Sequence, residues 1–188
     1  KELQVEEFCR TVAAAEPDSV LIGGDISEAP DLEAHLRLLE WHLKRPIFFV
    51  LGNHDFYRGS IGIVRQQARM LSESTNWLKW LPHGGAVELT KQIALIGHDC
   101  WGDGRLGKNR RSQVVLNDFF LIQELSKSPD LFSTLNALGD ESAAYFKRHL
   151  PAALKRYRHI LVLVHVPPFN ESCWHEGKIS DDDWLPHF

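Results

Sequence analysis

Three apolar runs in this chain end in polar side chains that can hold a cation. "LIGGD" ends at Asp25, "VLGNHD" at Asn53, His54 and Asp55, and "LVLVH" at His165. An aspartate, an asparagine carbonyl and a histidine brought together offer hard oxygen ligands plus one imidazole. That mixture suits manganese, iron, zinc or cobalt better than a thiolate-seeking metal, and it carries too much nitrogen for a typical calcium site. Each piece alone has a plainer reading: Gly-Gly-Asp as a turn, Asn-His-Asp as an Asx-turn, a lone histidine after a strand as a hydrogen-bonded core residue. Their joint occurrence at three strand ends points to a site. Gly23, Gly24 and Gly52 stand just before the polar groups, where they let the chain turn sharply and an ion or phosphate approach the backbone.

Sites of this kind form outside the carboxyl ends of strands in open α/β sheets, because loops converge there above a rigid support. Leu3 to Ala15 has helical spacing, with Leu3, Phe8 and Val12 roughly on one face. Pro17-Asp18 ends it, and "SVLIGGD" is a short strand. Asp31 can cap a helix to about Lys44 whose buried stripe is Leu32, Leu36, Leu39 and Leu43. Pro46 opens the strand "IFFVLG", and Ser60 starts a helix reaching about Ser74. The order helix, strand, helix, strand, helix implies parallel strands joined by crossovers.

After Asn76, "GGAVELTKQIALIGHD" reads as two antiparallel strands around Thr90-Lys91. Residues from Gly102 to about Leu138 read as polar loop mixed with short helical pieces. Asp140 is expected to cap a helix from Glu141 to about Tyr157, kinked or broken at Pro151. "HILVLVHVPPF" is a further apolar strand, and the tail "NESCWHEGKISDDDWLPHF" is read as loop. With no internal repeat and no convincing linker, the expectation is one mixed α/β domain over residues 1–188.

The 188 residues are 44% apolar, enough for a sizeable core. Twenty-one Lys and Arg against 25 Asp and Glu leave a charge of −4, which speaks for solubility and gives no support to a nucleic-acid-binding surface. The "KNRR" cluster at Lys108–Arg111 reads as a solvated loop. No run of about 18 apolar residues would span a membrane, and the start does not resemble a signal peptide. Cys9, Cys100 and Cys173 are far apart and odd in number, so neither a disulfide framework nor a thiolate zinc site is expected. A reducing cytoplasm is the expected location. The chain begins at Lys1 in what reads as a helix, and it is expected to be a piece of something longer.

"GGD" followed after one crossover by "GNHD", and then by an apolar strand ending in histidine, resembles the calcineurin-like metallophosphoesterase family. GNHD is the most specific signature, and the resemblance runs from about Ser19 to Phe169. It implies a four-layer α/β/β/α sandwich of two mixed sheets with two metal ions at the strand ends. The ions would be divalent or mixed-valence transition metals from among Mn, Fe, Zn, Co and Ni, with Mn favoured. Asp25 resembles the carboxylate bridging both metals. Asn53 resembles a ligand of the second metal through its side-chain oxygen, and His165 one of that metal's histidines. His54 resembles the non-ligand histidine that contacts the phosphate or leaving group, and Asp55 the carboxylate that orients and charges it.

The activity implied is hydrolysis of a phosphomonoester or phosphodiester by metal-bound hydroxide. Phosphate esters are anionic and repel hydroxide. Two cations roughly 3.5–4 Å apart cancel charge and lower the pKa of a bridging water together. An imidazolium beside the leaving oxygen adds about a hundredfold or more in rate.

Two motifs of the family are absent: an Asp-x-His at the end of an opening strand, and a closing Gly-His-x-His after His165, where only His175 and His187 follow. "GHD" at Gly97–Asp99 precedes the His165 strand and lacks a second histidine, so it is not assigned as the closing motif. The resemblance is therefore to a domain truncated at both ends; on their own, these residues predict a weak single metal site. The alternative expectation is a catalytically degenerate fold of this type kept as a protein-binding scaffold, against which the intact GNHD argues. Tyr57, Arg58 and Arg105 are weaker candidates for contacting a phosphate oxygen. Asp181–Asp183 reads as a solvated loop or helix start, and Trp77, Trp80, Trp174 and Trp184 as packing residues. The expected partner is a small phosphorylated molecule or a phosphodiester, with nucleic acid only as a substrate and no membrane.

Overall fold

A computed structural model describes residues 2–188, with side chains from Val5 onward; the expected place of the Leu3 side chain on a helix face lies outside what is described. Helix α1 (Glu2–Ala14) leads to β1 (Val20–Ile22), α2 (Leu32–Leu43), β2 (Ile47–Phe49), α3 (Ile61–Ser74) and β3 (Leu78–Trp80). The strands pair in parallel in the order β1-β2-β3, which is what crossover helices require. Helix α2 buries Leu32, Leu36, Leu39 and Leu43, the stripe that three- and four-residue spacing sets on one face. Asp31 holds its N-cap position without a side-chain cap bond, while Ser60 caps α3 by accepting from the Ile63 N–H.

A second sheet contains β4 (Val87–Glu88), β5 (Ile93–His98) and β6 (His159–Val164), with β4 antiparallel and β6 parallel to β5. Between β5 and β6 lie α4 (Asp118–Leu121), α5 (Gln123–Ser126) and α6 (Leu131–Arg156). Strand β2 has apolar neighbours on both faces. Ile47 and Phe49 join a cluster with Leu36, Leu39, Leu71 and Leu78, whereas Phe48 joins Val50, Leu81 and Leu95, with Leu163 of β6 packed against them. Alternate side chains of a strand point to opposite faces. A strand covered on both reads in sequence as an unbroken apolar run. The chain is thus a mixed α/β protein, and among the described residues no helix is long and apolar enough to cross a membrane.

The structure corrects several expectations. Strand β3 was not foreseen, because only three residues pair and two of them are Lys79 and Trp80. Helix α6 starts ten residues early: Asp130, not Asp140, is its cap, its carboxylate accepting from the Ser133 N–H. Asp140 sits inside the helix and pairs with Arg105. Pro151 does not break the helix, which continues to Arg156; the backbone bond it removes lies near the end of a long element. The tail contains a hairpin of β7 (Trp174–His175) and β8 (Lys178–Ile179). Its turn residues Glu176 and Gly177 have φ of +50° and +79°, the left-handed pair that a two-residue hairpin turn favours.

Candidate functional site

The carboxyl ends of β1, β2 and β6 bring Asp25, Asn53 and His165 together. His165 Nδ1 lies 2.8 Å from the Gly23 carbonyl oxygen, and Nε2 lies 3.1 Å from Asn53 Oδ1 and 3.5 Å from Asp25 Oδ1. Both ring nitrogens therefore face oxygens that can only accept, yet a neutral imidazole has one N–H. With that proton on Nδ1, toward the closer Gly23 carbonyl, Nε2 presents a lone pair beside two oxygen lone pairs. Three electron-pair donors facing one another at these separations suit a divalent cation among them, and two oxygens with one imidazole nitrogen suit a transition metal. Among the described residues no group of three or more His, Cys, Asp or Glu side chains is arranged to hold a metal; the third donor here is an asparagine oxygen.

The glycines make this closeness possible. Gly24 has φ +100°, and Asp25 itself is left-handed at +54°. A Cβ on Gly52 would stand 2.1 Å from Asp25 Oδ1 and 2.6 Å from His165 Cε1. Only a residue without a side chain fits there.

Residues Asn53–Phe56 form a single 3-10 turn, in which successive side chains project about 120° apart. His54 is thereby turned outward, its side chain 55% exposed, with its ring stacked on Tyr57 at 4.5 Å. His54 Nδ1 is 3.9 Å from Asp25 Oδ2, and its backbone N–H donates to Asp25 Oδ1. Asp55 is turned inward and fully buried, accepting from the Ser27 and Gly52 N–H groups at 2.8 Å each. Burial pushes its carboxyl up to about 6, against the opposing pull of these backbone donors. Among the described residues no hydrogen bond joins Asp55 to His54, so the expectation that Asp55 orients the imidazole is corrected. Asp55 instead ties the loop that follows β1 to the one that follows β2, and those loops carry Asp25 and Asn53.

Tyr57 is buried and donates its hydroxyl proton to Asp118 Oδ1 at 2.7 Å. Burial first, then the bond to Asp118, holds its phenol well above the usual range. That bond commits its hydroxyl proton to Asp118, while its ring stacks on His54. Arg58 is paired with Glu28 and lines a cavity of about 640 Å³ with Asp25, His54, Ser27 and His35. A second cavity of about 180 Å³ is lined by Asn53, His165, Asp118, Trp101 and His187. Arg105 lines neither of these cavities. Its guanidinium is paired with Asp103 and Asp140 at 2.8 and 2.9 Å.

The "GHD" segment is structural. His98 is buried beside Tyr145, and desolvation lowers its pKa. Asp99 accepts from the Leu51 N–H, the Trp80 indole N–H and Arg65 Nε at 2.8, 2.9 and 3.1 Å, fixing the chain two residues before Asn53. Sequence reasoning missed Asp118, which accepts from Asn53 Nδ2 at 2.9 Å. It lies in the stretch read as loop, and only its place before the apolar "FFLI" could have flagged it. With this geometry established, a family model for calcineurin-like phosphoesterases matches residues 4–188. No curated protein and no solved structure matches the chain.

Proposed function

The chain belongs to the calcineurin-like phosphoesterase family, and from that premise we propose that it is a metal-dependent phosphohydrolase acting on a phosphomonoester or phosphodiester. The observation that carries this reading is the convergence of Asp25 Oδ1, Asn53 Oδ1 and His165 Nε2 from three separate strand ends. These three would hold one divalent ion, manganese being favoured; of the second ion of the proposed dinuclear site these residues would supply only Asp25 as a ligand. When bound, the ions supply charge neutralisation and water activation for hydrolysis of an anionic ester. The four-layer sandwich expected for the family belongs to the same proposal. So does a cytoplasmic location, supported by three cysteines that are all free.

The protein's own side chains have distinct tasks in this account. His54, exposed and braced by the Tyr57 ring, gives a proton to the departing oxygen. Arg58 contacts a phosphate oxygen by exchanging its Glu28 partner for substrate. Asp55 keeps the two ligand-bearing loops in register through the Ser27 and Gly52 N–H groups.

The test is hydrolysis of p-nitrophenyl phosphate and bis-p-nitrophenyl phosphate by the manganese-loaded protein. His54→Gln should lower turnover about a hundredfold or more while manganese uptake stays unchanged. Absence of hydrolysis of either ester with Mn, Fe, Zn, Co or Ni would overturn the hydrolase reading in favour of a scaffold.

A further inference from the structure

Asn53 can turn either end of its amide toward His165 and Asp25, and only the oxygen end can serve a cation. The choice is made on the far side of the amide. Nδ2 lies 2.9 Å from Asp118 Oδ1 and 3.4 Å from the Tyr57 hydroxyl oxygen. Asp118 is 4% exposed, and the same Oδ1 accepts the Tyr57 hydroxyl proton at 2.7 Å. A carboxylate can only accept, and Tyr57 has already committed its single proton. Neither partner can therefore donate to Asn53, so the NH2 end must face them and the oxygen must face His165.

Asp118 is held in place by the same loop it serves. The Arg58 N–H donates to the Leu121 carbonyl at 2.8 Å, and the Gln123 N–H donates to the Gly59 carbonyl at 3.0 Å. These bonds make a short parallel bridge between Gly59 and Ile122, and Ile122 is fully buried. Helix α4 is thus fastened to the chain just beyond GNHD, with Asp118 on its first turn. We infer that Asp118 is a positioning residue for the metal site, acting through Asn53 by fixing which end of its amide faces the cation. The inference rests on the metal-dependent reading of the Asp25, Asn53 and His165 cluster.

The experiment is a manganese titration followed by loss of the free-ion electron paramagnetic resonance signal, for wild type, Asp118→Ala, Asn53→Ala and the double variant. Asp118→Ala should weaken manganese binding about 10–100-fold, as loss of a partner that orients a ligand does. Added to Asn53→Ala, it should cause no further loss, because its effect passes through the amide. Asp118→Asn, which keeps an acceptor oxygen, should stay within a few-fold of wild type. Unchanged affinity in Asp118→Ala, or an equal further loss in the Asn53→Ala background, would overturn the inference.

Amide orientation is read independently in the unsubstituted protein, whatever the variants' folding. Nuclear Overhauser contacts from the Asn53 NH2 should reach Tyr57 ring protons and not His165 Hε1; the reverse pattern overturns the inference. A wild type that takes up no manganese overturns the metal reading itself and this inference with it. Wild-type uptake with an indifferent Asp118→Ala overturns the inference alone.

Discussion

Replacing Gly52 with alanine adds one methyl group at the tightest point of the site. The backbone there has φ −98° and ψ 174°, an extended conformation open to any residue, so the cost does not come from the main chain. It comes from contact. The methyl carbon would stand 2.1 Å from Asp25 Oδ1, 2.6 Å from Asp25 N and 2.6 Å from His165 Cε1, where ordinary contact begins at 3.4 Å. Asp25 Oδ1 is thus about 1.3 Å too close to be accommodated by a rotamer change alone, since a backbone atom is also in the way.

Asp25 has little slack, being left-handed already and bound through Oδ1 to the His54 N–H. Overpacking of this kind costs about 1–3 kcal/mol. At about 2–4 °C per kcal/mol for a chain of this size, Gly52→Ala should melt about 2–12 °C below wild type. Displacing Asp25 and His165 should also weaken manganese binding. Gly23→Ala is the control, because a Cβ there meets nothing within 4 Å; it should fall within about 0.5 kcal/mol of wild type. Calorimetric melting with and without manganese reads both effects. A Gly52→Ala protein with wild-type Tm and wild-type metal uptake would refute the argument.

Asp99→Ala should cost about 1–3 kcal/mol or more in urea unfolding, because it leaves the Leu51 and Trp80 donors unpaired and the partly buried Arg65 guanidinium with Glu141 alone; a loss below about 1 kcal/mol would contradict the role assigned to it. The Asp55 carboxyl is raised by burial from 3.8 to about 6, so the folded state holds its proton more tightly than the unfolded chain does. The stability this contributes is fully present below about pH 4 and lost as pH rises through about 6, on the order of 3 kcal/mol in all. In chelator-treated protein, the unfolding free energy of wild type relative to Asp55→Asn should therefore fall between pH 4 and 7; a pH-independent difference would rule this out.

What could be read from the sequence follows from how each element is buried. Strands β1, β2, β5 and β6 carry apolar runs, and β2 is the clearest because both its faces are covered. The Asp25, Asn53 and His165 cluster was legible for the same reason, each residue being the first strong ligand after such a run. Strand β3 was hidden because three residues joined at the side of β2 leave no periodic trace. The first ten residues of α6 were hidden by Ser133, Thr134 and Gly139, which weaken a helical pattern locally, while packing of Leu135 into the core overrides that weakness. Asp55 and Asp118 were misread or missed because their work depends on direction. A sequence gives the order His54, Asp55, but not that a 3-10 turn sends one outward and the other under the loop. Nor does it give the 65-residue separation across which Asp118 meets Asn53.

The central claim is that the three strand ends together hold a divalent cation. The most direct measurement is the manganese content of the loaded and desalted protein by elemental mass spectrometry, beside Asn53→Ala and His165→Ala. The account expects about one to two equivalents in the wild type and a marked loss in both variants. No manganese in the wild type after loading with excess ion, or undiminished content in the two variants, would contradict it.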